Sequence, residues 1–77
     1  MAVYFKTKSG SEYVVDGLRV KRHGAEPSLL DGGWWPLKAV SDISIGAVVN
    51  LEIADGPNRS HMFQTAHVDE IWDAGIA

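Results

Sequence analysis

Apolar residues along this chain recur in short runs that are separated by frequent glycine, proline, asparagine, aspartate and serine residues. The clearest pattern covers residues 47–53, where Ala47, Val49, Leu51 and Ile53 occupy every second position. Alternation with period two between turn residues is typical of β-strands, because successive strand side chains point to opposite faces. The sequence therefore predicts an all-β fold of five to seven short strands without a long helix.

A β-hairpin is predicted near the beginning of the chain, with strands at residues 3–8 and 11–16 on either side of Ser9-Gly10. Gly10 supplies the positive φ that a two-residue turn requires. That turn pairs Lys8 with Ser11, Lys6 with Tyr13, Tyr4 with Val15 and, on the opposite face, Phe5 with Val14. Both faces of the hairpin then carry apolar pairs, so we expect both to be covered over part of their length.

The middle of the chain predicts two more extended segments. After a turn at Asp16-Gly17, one strand places Leu18, Val20 and Arg22 on one face and Arg19, Lys21 and His23 on the other. Residues 24–33 form a loop in which Leu29-Leu30 is a short apolar anchor or one helical turn. Trp34–Val40 resumes the extended structure, and because Pro36 donates no hydrogen bond this segment is predicted to be an edge strand or a bulge.

The last third of the chain predicts a hairpin and a final strand. Residues 41–46 link to it through two buried isoleucines, Ile43 and Ile45. Residues 47–53 and 59–65 form the hairpin around the turn Ala54-Asp55-Gly56-Pro57, and residues 68–72 form the final strand after a tight turn at Ala66-His67. Residues 73–77 are predicted to be frayed.

A small, strongly bent barrel or sandwich of the Src-homology-three type suits these strands, since closure removes exposed edges that promote aggregation. The length of 77 residues allows one core, so residues 1–77 are predicted to be a single domain. The absence of cysteine excludes disulfides and thiolate metal ligands. A chain this short without such links needs an efficient core or a partner chain.

The charge balance and the first residues bear on location and partners. Seven Lys and Arg against ten Asp and Glu give a net charge of −3, whereas non-specific nucleic-acid binders usually carry a basic surface. No apolar run approaches the ~20 residues of a membrane span, and the beginning lacks the basic and apolar regions of a secretory signal. We therefore expect a soluble cytoplasmic protein that binds no membrane and for which nucleic acid is a less favoured partner.

One segment carries a resemblance. The motif Thr7-x-Ser9-Gly10-Ser11-x-Tyr13-x-Val15-Asp16, followed by Val20-x-Arg22, resembles a hairpin that opens small uncharacterised accessory proteins of actinobacteria and their tailed phages. Ile43-x-x-Gly46 matches a later segment of those proteins, whereas Thr65-Ala66-His67-Val68 matches their T-S-P-V-like turn only loosely. The resemblance implies a phage or prophage accessory protein, present in the host cytoplasm, with no known reaction. Such proteins often act by binding a host or viral protein.

Residues that could carry catalysis or bind metal do not form a recognised pattern. Phosphate-binding loops and a nucleophile elbow are absent, and Ser9 is interpreted as a turn residue. The candidate metal ligands are His61, His67, Asp69 and Glu70, whose spacing matches no zinc site. The candidate acid–base carboxylates are Asp69, Glu70 and Asp73, for which nothing indicates the burial that would tune a pKa. We expect no enzyme, no cofactor and no metal.

The strongest candidates for binding are the tandem Trp34-Trp35 and the basic strand face. Adjacent strand residues point to opposite faces, so one indole can enter the core while the other is exposed as an interface anchor. The alternative is that both lie in the core. For Trp72, too, an exposed position and a core position are both open. Arg19, Lys21 and His23 share one face, as Lys6 and Lys8 do on the first hairpin. If these faces coincide, the basic residues form a positive patch that contacts phosphates or an acidic partner. The alternative is a solvated outer face that resists edge pairing.

Three functions remain open at this point. The first is a non-enzymatic protein-interaction module, with the candidate partner-binding residues Trp34, Trp35, Arg19, Lys21, His23 and Trp72. The second is a small barrel that binds nucleic acid by stacking bases on a tryptophan. The third is a self-assembling structural or virion-associated subunit, such as a homodimer, with residues 68–72 as the pairing edge.

Overall fold

The structure is a computed structural model that describes residues 2–24 and 33–73. These residues form seven β-strands and no helix: β1 (Ala2–Thr7), β2 (Glu12–Asp16), β3 (Arg19–His23), β4 (Trp34–Val40), β5 (Asn50–Ala54), β6 (Ser60–Gln64) and β7 (Val68–Asp73). All neighbouring strands are antiparallel and belong to one sheet with the order β6-β5-β4-β3-β2-β1-β7. The predicted all-β class is confirmed. The described residues contain no helix that could cross a membrane.

Strand β4 lies inside the sheet, between β3 and β5, so the prediction of an edge strand is wrong. The predicted irregularity is present, because the β4–β5 register shifts between Leu37 and Ala39. Leu37 N–H donates to the carbonyl of Leu18 at 2.8 Å, so by alternation the nitrogen of Pro36 points away from β3. The Pro36 nitrogen faces β5 instead, and the pairing of β4 with β5 begins only at Leu37. The sheet therefore loses no hydrogen bond at Pro36.

The two edge strands of the sheet are joined by a three-residue link but do not pair with each other. Backbone bonds tie the segment before β5 to this link and to β7: Thr65 N–H donates to Val49 at 2.9 Å, Val68 N–H to Ala47 at 2.8 Å, and Gly46 N–H to Val68 at 2.8 Å. Since no ladder joins β6 to β7 among the described residues, the barrel is not closed. The fold is a strongly bent sheet.

The register of the first hairpin differs by one residue from the predicted one. Phe5 pairs with Tyr13 and Tyr4 with Val14. Gly10 N–H donates to the carbonyl of Thr7 at 3.0 Å, and Thr7 N–H donates to that of Ser11 at 2.9 Å. The connection is therefore a three-residue loop that ends in Gly10 at φ 89°. A slip of one residue moves every side chain to the other face, so Tyr13 rather than Val14 enters the core.

The core lies on one side of the bent sheet and takes residues from six strands and the link before β5. Its buried apolar members are Phe5, Tyr13, Val15, Val20, Leu37, Val49, Leu51, Ile53 and Val68, with Trp35, Ile43 and Phe63 packed against them. The rings of Phe5 and Tyr13 stack at a centroid distance of 4.9 Å. The predicted alternation at Val49, Leu51 and Ile53 is confirmed, since all three are buried.

Ile45, which was expected to be buried, and Leu18, which was expected to share a strand face with Val20, are both exposed. Asp16 pairs with Arg19, so Gly17 and Leu18 form the turn between them, and the Leu18 side chain is 79% exposed. Ile43 packs against the core, but Ile45 is 63% exposed in the link before β5. Asp73, predicted to be frayed, belongs to β7. Residues 74–77 and most of the predicted loop, including Leu29-Leu30, lie outside the described residues.

Candidate partner-binding face

A row of side chains crosses five strands on the face of the sheet that is turned away from the core. The register places Trp34 beside Lys21, Lys21 beside Val14, Val14 beside Tyr4, and Tyr4 beside Trp72. We name these five residues the aromatic row, and the sheet surface that carries it the outer face. Because neighbouring strands lie about 4.8 Å apart, the row runs roughly 19 Å along the sheet between the two tryptophans at its ends.

Strand alternation explains which tryptophans reach this face. Trp35 pairs with buried Val20 and packs against the core, so its neighbour Trp34 points outwards and is 42% exposed. Trp72 is 45% exposed at the other end of the row. The prediction that one residue of the tandem pair faces out is confirmed, and the alternative with both in the core is wrong.

Both exposed indoles are held by a neighbouring side chain. The Arg19 guanidinium lies 4.1 Å from the centre of the Trp34 ring and donates a hydrogen bond to Asp16 at 2.9 Å. The ring of Trp72 is tilted by 58° against that of Tyr4 at a centroid distance of 5.0 Å. These contacts restrict the rotamers of both exposed indoles.

The hydroxyl group of Tyr4 donates a hydrogen bond to the Glu12 carboxylate. This hydrogen bond, followed by burial and the negative charges of Glu12 and Glu70, raises the pKa of Tyr4 from 10.0 to about 12. The phenol therefore stays protonated at neutral pH and satisfies one carboxylate of the outer face. The same side chain thus combines an apolar ring with a polar end.

A shallow, open pocket of about 170 Å³ lies at the centre of the row and is lined by Tyr4, Glu12, Val14, Lys21 and His23. Val14 and Tyr4 are the lining residues that contribute apolar groups. Lys21 is exposed, and among the described residues no carboxylate forms an ion pair with it. The pocket thus places apolar groups beside an exposed ammonium group.

Comparison with known proteins gives no match. No family model, curated protein or solved structure is significantly similar to this chain.

Four of the basic residues share this face, but they do not form a continuous positive surface. Arg19, Lys21 and His23 alternate with Val20 and Arg22 along β3, and Lys6 lies on the same side of β1. Glu12 separates His23 from Lys6 in the register. Lys8 lies in the hairpin turn rather than on the face, so positive and negative groups are interleaved.

The candidate metal and acid–base residues do not converge. His61 contacts Asp55 at 2.7 Å on the β5–β6 hairpin, whereas His67 lies in the link before β7. Asp69 and Glu70 are exposed on β7. Within residues 2–24 and 33–73, no group of three or more histidine and acidic side chains could hold a metal ion.

The motif that carries the family resemblance builds the first hairpin. Thr7 is 1% exposed, and its hydroxyl lies 2.9 Å from that of Ser9. Arg22 donates to the Ser11 hydroxyl at 3.0 Å. The spacing of the polar residues in the motif is therefore explained by the hydrogen bonds that they form in and beside the turn. Two members of the row, Tyr4 and Val14, were not among the predicted binding residues. The only indication of them in the sequence was the presence of apolar residues on both faces of the hairpin.

Proposed function

We propose that this chain is a non-enzymatic protein-interaction module that binds another protein through its outer face. The observation that carries this proposal is the aromatic row, with an exposed and restrained indole at each end. Tryptophan and tyrosine are the residues that most often provide the binding energy of protein interfaces, because they bury a large area with few rotatable bonds.

The chemistry of the row also defines the partner surface that fits it. A complementary surface presents apolar groups to Trp34, Val14 and Trp72, and a carboxylate to Lys21. The length of the row, roughly 19 Å along the sheet, corresponds to about six residues of an extended strand. The resemblance to actinobacterial and phage accessory proteins favours a host or viral protein in the cytoplasm as the partner.

Two alternatives are less well supported by the outer face. A nucleic-acid backbone needs a continuous track of cations, whereas Arg19 is bound to Asp16 and Glu12 interrupts the basic residues. In the self-assembly alternative, two copies stack their outer faces about a two-fold axis at Val14. Strand β2 of one copy then lies over β2 of the other. Since Glu12 and Asp16 flank Val14 on that strand, carboxylates would then face carboxylates.

Affinity capture with matched variants tests the proposal. The bait proteins are the wild type, Trp34→Ala, Trp72→Ala and the control Ile45→Ala, which removes a more exposed apolar side chain away from the row. From an actinobacterial lysate, we expect each tryptophan variant to lose a specific partner that the wild type and the control retain. Titration of that partner should show affinities lowered by about tenfold or more.

Two results would contradict the proposal. If all four baits recover the same proteins in equal amounts, the row is not a binding surface. If the wild type instead binds single-stranded DNA or RNA with a steep salt dependence, and Trp34→Ala abolishes that binding, the nucleic-acid alternative replaces it.

A further inference from the structure

Strand β6 forms one edge of the sheet, and its backbone directions follow from two hydrogen bonds. Thr65 N–H donates to Val49, and Asp55 N–H donates to Arg59. Because antiparallel bonds recur at every second residue, His61 and Phe63 also direct their peptide groups towards β5. The N–H and C=O groups of the remaining residues, Ser60, Met62 and Gln64, therefore point away from the sheet.

The side chains of this edge do not protect it from pairing. Exposed edge strands are usually blocked by charged residues, especially lysine, or by proline, and Ser60–Gln64 contains neither Lys, Arg, Asp, Glu nor Pro. Met62, at the centre of β6, is 67% exposed. The opposite edge differs, since β7 carries Asp69, Glu70 and Asp73.

We propose that a second copy of this chain pairs with β6 in antiparallel orientation, across a two-fold axis at Met62. In this register Met62 lies opposite itself, and Ser60 lies opposite Gln64 of the second copy. The three outward-facing residues of each strand then form about six backbone hydrogen bonds across the axis. The two methionine side chains come together and are removed from water.

Charge favours this edge over the other for self-pairing. No ionised carboxylate or ammonium group of β6 meets its own copy, because the strand has none. The corresponding pairing of β7, centred on Ile71, would place Asp69 opposite Asp73, and like charges directly opposite each other destabilise a sheet. Pairing at β6 also leaves only the acidic β7 edges free, so the assembly closes as a dimer rather than growing into a filament.

Sedimentation velocity over a dilution series from millimolar to low micromolar concentration tests the dimer. We expect the wild type to dissociate on dilution, and Met62→Lys and Met62→Glu each to weaken association by at least about tenfold, because like charges meet on the axis. An equimolar mixture of the two variants should restore the dimer. Leu18→Lys, which makes the same change at an exposed turn residue, should behave as the wild type.

Amide hydrogen exchange locates the contact. At high concentration the amides of Ser60, Met62 and Gln64 should exchange more slowly than at low concentration, whereas those of β7 should not change. The proposal is overturned if the wild type is monomeric at every concentration, if Met62→Lys leaves a dimer intact, or if concentration-dependent protection appears on β7. This surface is separate from the aromatic row, so the outcome is independent of the partner-binding proposal.

Discussion

Tyr4 lies in the aromatic row with its ring against Trp72 and its hydroxyl on Glu12. The ring extends the apolar surface of the outer face, while the hydroxyl group donates a hydrogen bond to the Glu12 carboxylate, which keeps its negative charge. One side chain therefore contributes both apolar surface and a hydrogen bond to the face. Its hydrogen bond also makes the stability of the fold sensitive to alkaline pH.

The substitution Tyr4→Phe tests this bond. The pKa of Tyr4 is raised from 10.0 to about 12, so its contribution to stability is complete below about pH 10 and is lost as the pH rises through about 12. We expect Tyr4→Phe to lower the free energy of unfolding by up to about 1 kcal/mol at neutral pH, and to remove this alkaline loss. Denaturant unfolding at a series of pH values measures both effects.

An ultraviolet titration provides the control. The difference between the wild type and Tyr4→Phe isolates the ionisation of this phenol, which we expect near pH 12. In Glu12→Gln the acceptor is uncharged, so the phenol should ionise at lower pH. Ionisation of Tyr4 near pH 10 in the wild type would contradict the hydrogen bond to Glu12.

At the level of elements, the β1–β2 hairpin shows how loop length decides which side chains reach the core. A two-residue turn of the type common in hairpins would place Ser9 as well as Gly10 at positive φ. Among the described residues only glycines have positive φ. The three-residue loop needs this conformation at Gly10 alone, which avoids about 1–2 kcal/mol of strain at Ser9.

Substitution of Gly10 tests this explanation. A Cβ at this position would meet no atom within 4 Å, so the effect of a side chain comes from φ alone. We expect Gly10→Ala to reduce the free energy of unfolding by about 1–2 kcal/mol, and Gly10→Asn to reduce it less, because asparagine tolerates the left-handed region. Thermal and denaturant unfolding compare the three proteins, and equal stability of all three would refute this origin of the register.

The sequence was informative wherever a local pattern determines structure. Alternation predicted the buried face of β5. The adjacency of Trp34 and Trp35 indicated that one of them can face outwards, but it did not show which one. The register of the first hairpin depends on a difference of one loop residue, which apolar residues on both faces could not resolve. The pairing of β1 with β7 joins distant parts of the chain, so no local pattern indicated that Tyr4 and Trp72 would meet.

For the whole molecule, the core is small and does not depend on the exposed tryptophans. Its largest fully buried side chains are Phe5, Leu51 and Ile53, and Trp35 is the one indole that packs against them within the described residues. A domain of 77 residues has a stability of about 4–12 kcal/mol. Loss of one core side chain therefore removes a large fraction of it, while the row can change with little effect on folding.

Two leucine substitutions measure this contrast. Leu51 is 0% exposed and Leu18 is 79% exposed. We expect Leu51→Ala to lower the free energy of unfolding by about 2–5 kcal/mol through lost burial and the cavity that remains, and Leu18→Ala to change it by less than about 0.5 kcal/mol. Denaturant unfolding of both variants provides the values, and similar losses at the two sites would contradict the assignment of the core.

The pairing of Val3 with Asp73 brings the two ends of the described fold onto neighbouring strands. Cα atoms of such pairs lie about 5 Å apart, so a polypeptide that enters at β1 leaves at almost the same point. The unit is therefore suited to insertion into a surface loop of another protein without forcing the host's strands or helices apart. By the same geometry, a short linker between its ends would permit a circular permutant opened at the exposed Gly56-Pro57 turn.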